Sequence, residues 1–134
     1  HIDHPGPLEE GALGELATLY LSVADPYAAK LVLDKAAEGG ASSEVYNLRG
    51  VVAFALGYPQ LAYDEFQSAL KADPTNAKAR VNVAGLYSAY GMAKLAEAET
   101  VKITAGTRFD GSDPAIIAPA RSVSVGGGAA GGAR

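Results

Sequence analysis

The chain has no cysteine among its 134 residues, which excludes a disulfide framework, a thiolate nucleophile and a thiolate metal site. It has no Trp and only ten other aromatics, so a core must be built mostly from small aliphatic side chains. Its only histidines, His1 and His4, stand in a lead-in carrying Pro5, Gly6 and Pro7, far from any pattern that would orient an imidazole base. No apolar run is long enough to cross a bilayer, so direct membrane insertion of this segment is not expected. There is no excess of positive charge either: the net charge is -4, which argues against nucleic acid as a partner. Phosphate-cradling glycine loops and nucleophile motifs are missing. The expected protein is therefore not an enzyme, with no catalytic residues, no cofactor and no metal.

What remains is helix punctuation. Apolar positions Leu13, Leu16, Ala17, Leu19 and Tyr20 recur at helical spacing and predict a helix over about 8–23, with Glu9 and Glu10 in the first turn where the helix dipole favours them. Asp25-Pro26 supplies a cap and a first-turn proline for a second helix, which runs to about Glu38 before Gly39-Gly40. Ser42 or Ser43 caps a third, Glu44 to Leu56, closed by Gly57. Pro59 opens a fourth, ending near Ala72. Asn76 caps a fifth, Ala77 to Tyr90, closed by Gly91, and a sixth covers Met92 to Ile103.

These helices carry a repeat. Gly57 and Gly91 are 34 residues apart, and so are Ala28, Ala62 and Ala96 in succession. Within the middle unit stand Tyr46-x2-Arg49-Gly50-x2-Ala53, Ala62-x3-Phe66, Ala69 and Pro74. This resembles the tetratricopeptide repeat, with Arg49 and Ala53 departing from its pattern. Tyr87 and Ala96 fit the third unit, while Leu16-Ala17-x2-Tyr20 fits the first if one residue is missing from the turn before Ala28. The resemblance covers about residues 8–103. It implies an all-α fold, a short right-handed α-solenoid of three antiparallel helix pairs, because one pair cannot bury its apolar face alone. Small residues at Gly50, Ala62, Ala84 and Ala96 are expected where helices cross closely, with Tyr46, Phe66 and Tyr87 filling the gaps.

In the resembling family the first helix of each pair lines a concave groove that holds a peptide or helix of a partner protein. By register the groove would present Glu44, Asn47, Val51 and Phe54 from the middle unit, and Lys78, Val81, Asn82, Gly85 and Ser88 from the third. In the first unit two registers compete, Leu13, Ala17 and Tyr20 against Gly14, Thr18 and Leu21. Phe54 stands off the packing stripe of its helix, as a binding anchor or as packing for a neighbouring helix or the tail. Lys78 and Asn82 read either as a solvated face or as contacts to a peptide backbone. The carboxylate clamp by which some relatives hold chaperone tails is not matched, since Asn82 stands where that clamp needs arginine.

After residue 103 the character changes. The helical body, 8–103 with its lead-in 1–7, carries a charge of -5 and residues 104–134 carry +1. Five of the last nine residues are glycine and three are alanine, so 104–134 is expected to be a flexible tail or linker. The alternative is that Ile116-Ile117-Ala118-Pro119, read as an extended apolar piece, lies in the groove or covers the last helix. The chain opens on His1 and not Met, so a segment removed upstream is expected, with a processed protein and a piece of a longer protein both open. The expected role is a non-catalytic scaffold or adaptor, with assembly of a bacterial pilus, secretion or motility complex in the periplasm or envelope as the setting suggested by the family. Two other roles stay open: a structural spacer or self-association module, and a metal-binding protein using a free His1 amine and imidazole with His4.

Overall fold

The computed structural model describes residues 7–103, 107, 109 and 112–117. Among the described residues every regular element is helical, in the order α1 Pro7–Ser22, α2 Pro26–Ala36, α3 Ser43–Ala55, α4 Pro59–Ala72, α5 Ala77–Ala89 and α6 Ala93–Thr100. Three helices start where a side chain satisfies an orphan backbone donor. Asp25 accepts from the Ala28 amide at 3.1 Å, Ser42 from Val45 at 3.2 Å and Asn76 from Ala79 at 3.0 Å. Pro26 and Pro59 sit in first turns, where no amide donor is missed.

The turns after α1, α3 and α5 share one hydrogen-bond scheme. The amides of Asp25, Tyr58 and Met92 each reach back to the carbonyl five residues earlier, on Tyr20, Ala53 and Tyr87. Each closure needs a left-handed residue, and these are Ala24, Gly57 and Gly91, with φ of 60°, 92° and 75°. Ala24 and Gly57 are 33 residues apart against 34 for Gly57 and Gly91. The amides of Ala29, Ala62 and Ala96 bond alike to the carbonyls of Asp25, Tyr58 and Met92, so Ala29 and not Ala28 is the counterpart of Ala62, and no residue is missing from the turn before Ala28. An alanine in this conformation brings Cβ against the following carbonyl. Ala24→Gly is therefore expected to raise stability in urea unfolding by about 0.5–1 kcal/mol, the relief of strain outweighing the added freedom of the unfolded chain.

Each helix packs on the next, and α3 also touches α1 and α5. Between them lie three apolar clusters. Ala17, Ala29, Leu33, Val45 and Leu48 form the first, and Val51, Ala62, Phe66, Val83 and Leu86 the second. The third joins Val81 with Ile103, Phe109 and Ile116. The small residues expected at close crossings are buried, Ala62 completely, and Gly50 faces the Phe66 ring. Arg49 on α3 pairs with Glu65 on α4 at 3.2 Å, although burial still pushes the Glu65 carboxyl above its ordinary value.

The sixth helix is shorter than its periodicity suggests. Thr100 turns its hydroxyl back to the Ala96 carbonyl, Val101 closes the helix, and Ile103 swings inward to the third cluster. Burying Ile103 there, beside Phe109 and Ile116, takes the chain off the helical path. Those residues lie within the tail segment, yet Ala115, Ile116 and Ile117 are buried against the helices. No described helix is long and apolar enough to cross a membrane.

Candidate functional site

Two asparagines meet between α3 and α5. Asn47 and Asn82 are both fully buried, and the Asn82 amide nitrogen donates to Asn47 Oδ1 at 2.8 Å. A buried amide must find partners for its carbonyl and its NH2. Here the remaining partners come from the chain after α6. Asn82 Nδ2 also donates to the Ala115 carbonyl at 2.8 Å, while Asn82 Oδ1 accepts from the Ile117 amide at 2.7 Å. Since the Ile117 N–H can only donate, it fixes which atom of the Asn82 amide is oxygen. Asn47 adds a long bond to the same Ala115 carbonyl at 3.4 Å. Asn82 thus grips carbonyl and amide of one chain segment through groups that every residue type except proline carries.

Residues 113–116 are held as a turn that takes in Ile116, while Ala118 and Pro119 of the piece expected to be extended lie outside the described residues. The Ile116 amide donates to the Asp113 carbonyl at 3.0 Å, closing a four-residue turn with Pro114 at its second position. Asp113 Oδ1 accepts from the Ala115 amide at 2.9 Å, an Asx closure that stiffens the same turn. Its other oxygen faces Lys78 Nζ at 3.3 Å, from the first turn of α5. Both groups are partly exposed, so this ion pair orients more than it stabilises.

Apolar contacts complete the seat. Ala115 joins the first cluster, Ile117 the second and Ile116 the third, so the turn sits where all three meet. Burying two isoleucines is worth about 3–6 kcal/mol. Three good hydrogen bonds contribute about 1.5–4.5 kcal/mol net. Fixing five residues costs about 5–10 kcal/mol in backbone entropy. The balance falls within a few kcal/mol of zero.

Most residues expected to line a groove are found at this seat. Asn47, Lys78 and Asn82 make the polar contacts, and Val51 and Val81 are buried in the clusters that take Ile117 and Ile116. Phe54 is half-buried against the cluster of Ile117 and, with Leu21, Pro26, Val51 and Pro114, borders an open cleft of about 530 Å³ beside the turn. Ser88 lies exposed in the last full turn of α5, one helical turn and more beyond Asn82, and is not among the residues around the segment. Of the two registers in the first unit, Leu13, Ala17 and Tyr20 pack into the first cluster, whereas Gly14 and Thr18 border a second cleft of about 630 Å³ with Glu10, Glu44 and Val45. Asp113 and Ala115 were not expected as site residues. Asp113-Pro114 ahead of two branched aliphatics is the signal that marks them.

His1 and His4, the donors of the metal-binding alternative, lie outside the described residues. Among the described residues no three histidine, cysteine, aspartate or glutamate side chains are grouped so as to hold a metal ion. Comparison with protein families, with curated proteins and with solved structures finds no match to this chain.

Proposed function

We propose that this chain is a short tetratricopeptide-like solenoid, three antiparallel helix pairs with a right-handed stack, whose concave face holds a short peptide of a partner protein without catalysis. The observation that carries the reading is the pair of hydrogen bonds by which Asn82 donates to the Ala115 carbonyl and accepts from the Ile117 amide. A buried side chain spent on backbone atoms is suited to gripping a peptide of any sequence, while Lys78 and the apolar clusters select among peptides. The matching turns at Ala24, Gly57 and Gly91 support the repeat architecture. Assembly of an envelope complex is the setting that the family resemblance suggests.

A library of displayed decapeptides, panned on the full chain, tests this. Peptides are expected that lose binding to Phe54→Asp and Lys78→Glu variants but keep it with Lys30→Glu, a change at an exposed position of α2. Peptides indifferent to all three would move the site off this face.

A second reading is favoured by one observation, the complete burial of Ile117. On that reading residues 113–117 are a permanent plug, and the chain is a spacer whose face is closed by its own tail. An empty library on a folded protein, together with Ile117 amide exchange as slow as that of the core helices, is its signature.

A further inference from the structure

The seat is occupied by the chain itself, and the occupant reads as a ligand. Resting on the groove-binding proposal above, we infer that residues 113–117 are a resident competitor, and that the partner presents the same turn: an acidic residue, proline, any small residue and two branched aliphatics.

Each part of that pattern has its own receptor. Lys78 faces the acid at 3.3 Å, while the second acid oxygen and the proline preform the turn. Asn82 takes the carbonyl of the third residue and the amide of the fifth. The fourth and fifth side chains are 3% and 0% exposed, entering separate clusters around Val81 and around Val83 and Leu86. An Asp-Pro turn is partly formed in the free peptide, so little ordering is left to lose on binding. The cleft of about 530 Å³ beside Pro114 and Ile117 leaves room for contacts that residues 113–117 do not make, so a partner can outbind them.

Competition follows from connectivity. The segment is joined to α6 through residues 101–112, with Phe109 among them packed in the third cluster, a connection short enough to hold its local concentration at or above about the millimolar range. A partner peptide therefore meets a seat that is free for only a fraction of the time, and its apparent affinity falls by that fraction.

The probe is a fluorescent peptide copying residues 110–119, titrated into the full chain and followed by anisotropy. Wild type is compared with Ile116→Asp, Ile117→Asp, whose tail can no longer dock. The double variant, folded by circular dichroism, is expected to bind at least about tenfold more tightly than wild type. Peptides carrying Pro114→Gly or both isoleucines changed to serine are expected to lose about tenfold or more. Equal affinity for the two proteins, or no binding to the folded variant, overturns the inference.

If the double variant does not fold, a specific protease site inserted between Ile103 and Thr107 of the full chain replaces it. After cleavage the labelled peptide is expected to exchange into the seat, and failure to exchange overturns the inference. Panning random decapeptides on the same protein separates the two proposals. Binders lost with Phe54→Asp but lacking the acid-proline and double-aliphatic pattern would leave groove binding standing and remove the turn motif. Absence of binders of any kind would remove both.

Discussion

Gly50→Ala is expected to destabilise the protein by about 1–3 kcal/mol, although the same change elsewhere in a helix stabilises. Gly50 lies in the middle of α3, where glycine normally costs about 0.5–1 kcal/mol relative to alanine. A methyl group there would fall on the Phe66 ring, 2.6 Å from Cδ1 and 2.9 Å from Cζ. These separations lie inside van der Waals contact, and Phe66 is completely buried among Val51, Ala62 and Val83, so the ring can yield only by displacing core neighbours. The helix-propensity gain therefore cannot offset the overlap. Gly11→Ala is the control, since nothing lies within 4 Å of a methyl group at that exposed position on α1. It should stabilise by about 0.5–1 kcal/mol. In thermal unfolding the two variants are expected to move in opposite directions, with Gly50→Ala lower by several degrees. Adding Phe66→Leu to Gly50→Ala should recover part of the loss, a coupling that places the cost in this one contact. An unchanged midpoint for Gly50→Ala would mean that α3 and α4 separate easily, against the tight crossing.

That crossing was legible because its signal is local and periodic. Tyr46, Gly50, Ala62 and Phe66 fall within one 34-residue period of the sequence, and caps such as Asp25, Ser42 and Asn76 announce helix starts within three residues of the amides they satisfy. The end of α6 was less legible, since Thr100 to Ile103 fit a helical pattern and only the distant Ile116 and Phe109 draw Ile103 away from it. The seat of the tail was hardest to read. Averaged over residues 104–134, glycine and alanine dominate and hide Asp113-Pro114 and the isoleucine pair. What fixes them is a bond from Ile117 to Asn82, 35 residues earlier, and no local period reports on that. Asn82 itself is expected at a groove position, but a lone polar residue on a helix does not say which backbone it will meet. Composition describes the tail as a whole, whereas docking is decided by five residues of it.

Those five residues give the second large effect, at Asn82. Asn82→Ala removes three hydrogen bonds at once and leaves the Ile117 N–H and Asn47 Oδ1 without partners in a buried setting. At about 1–3 kcal/mol for each orphaned group, the docked state would lose about 2–6 kcal/mol. The segment itself contributes only a few kcal/mol on balance, so it should leave the seat and carry the Ile117 amide back into water. Global stability then falls by no more than the segment supplied, while protection of the Ile117 amide against hydrogen exchange disappears. Asn82→Asp makes the argument sharper. The carboxylate can still accept from Ile117, but it faces the Ala115 and Asn47 oxygens where Asn82 donated, and it is deeply buried. Both effects disfavour the charged form and raise its folded pKa above the unfolded value of about 3.9. A group raised in this way stabilises the docked state fully below its unfolded pKa, and that stabilisation is lost as pH rises through the folded pKa. The Asn82→Asp protein should therefore keep Ile117 protected near pH 4 and release it toward pH 7, whereas Asn82→Ala should be open at both. Equal protection factors for Asn82→Asp at the two pH values, corrected for intrinsic exchange, would mean that residue 82 does not govern docking. A strict dependence would make the side chain of one residue on α5 the latch for the whole segment.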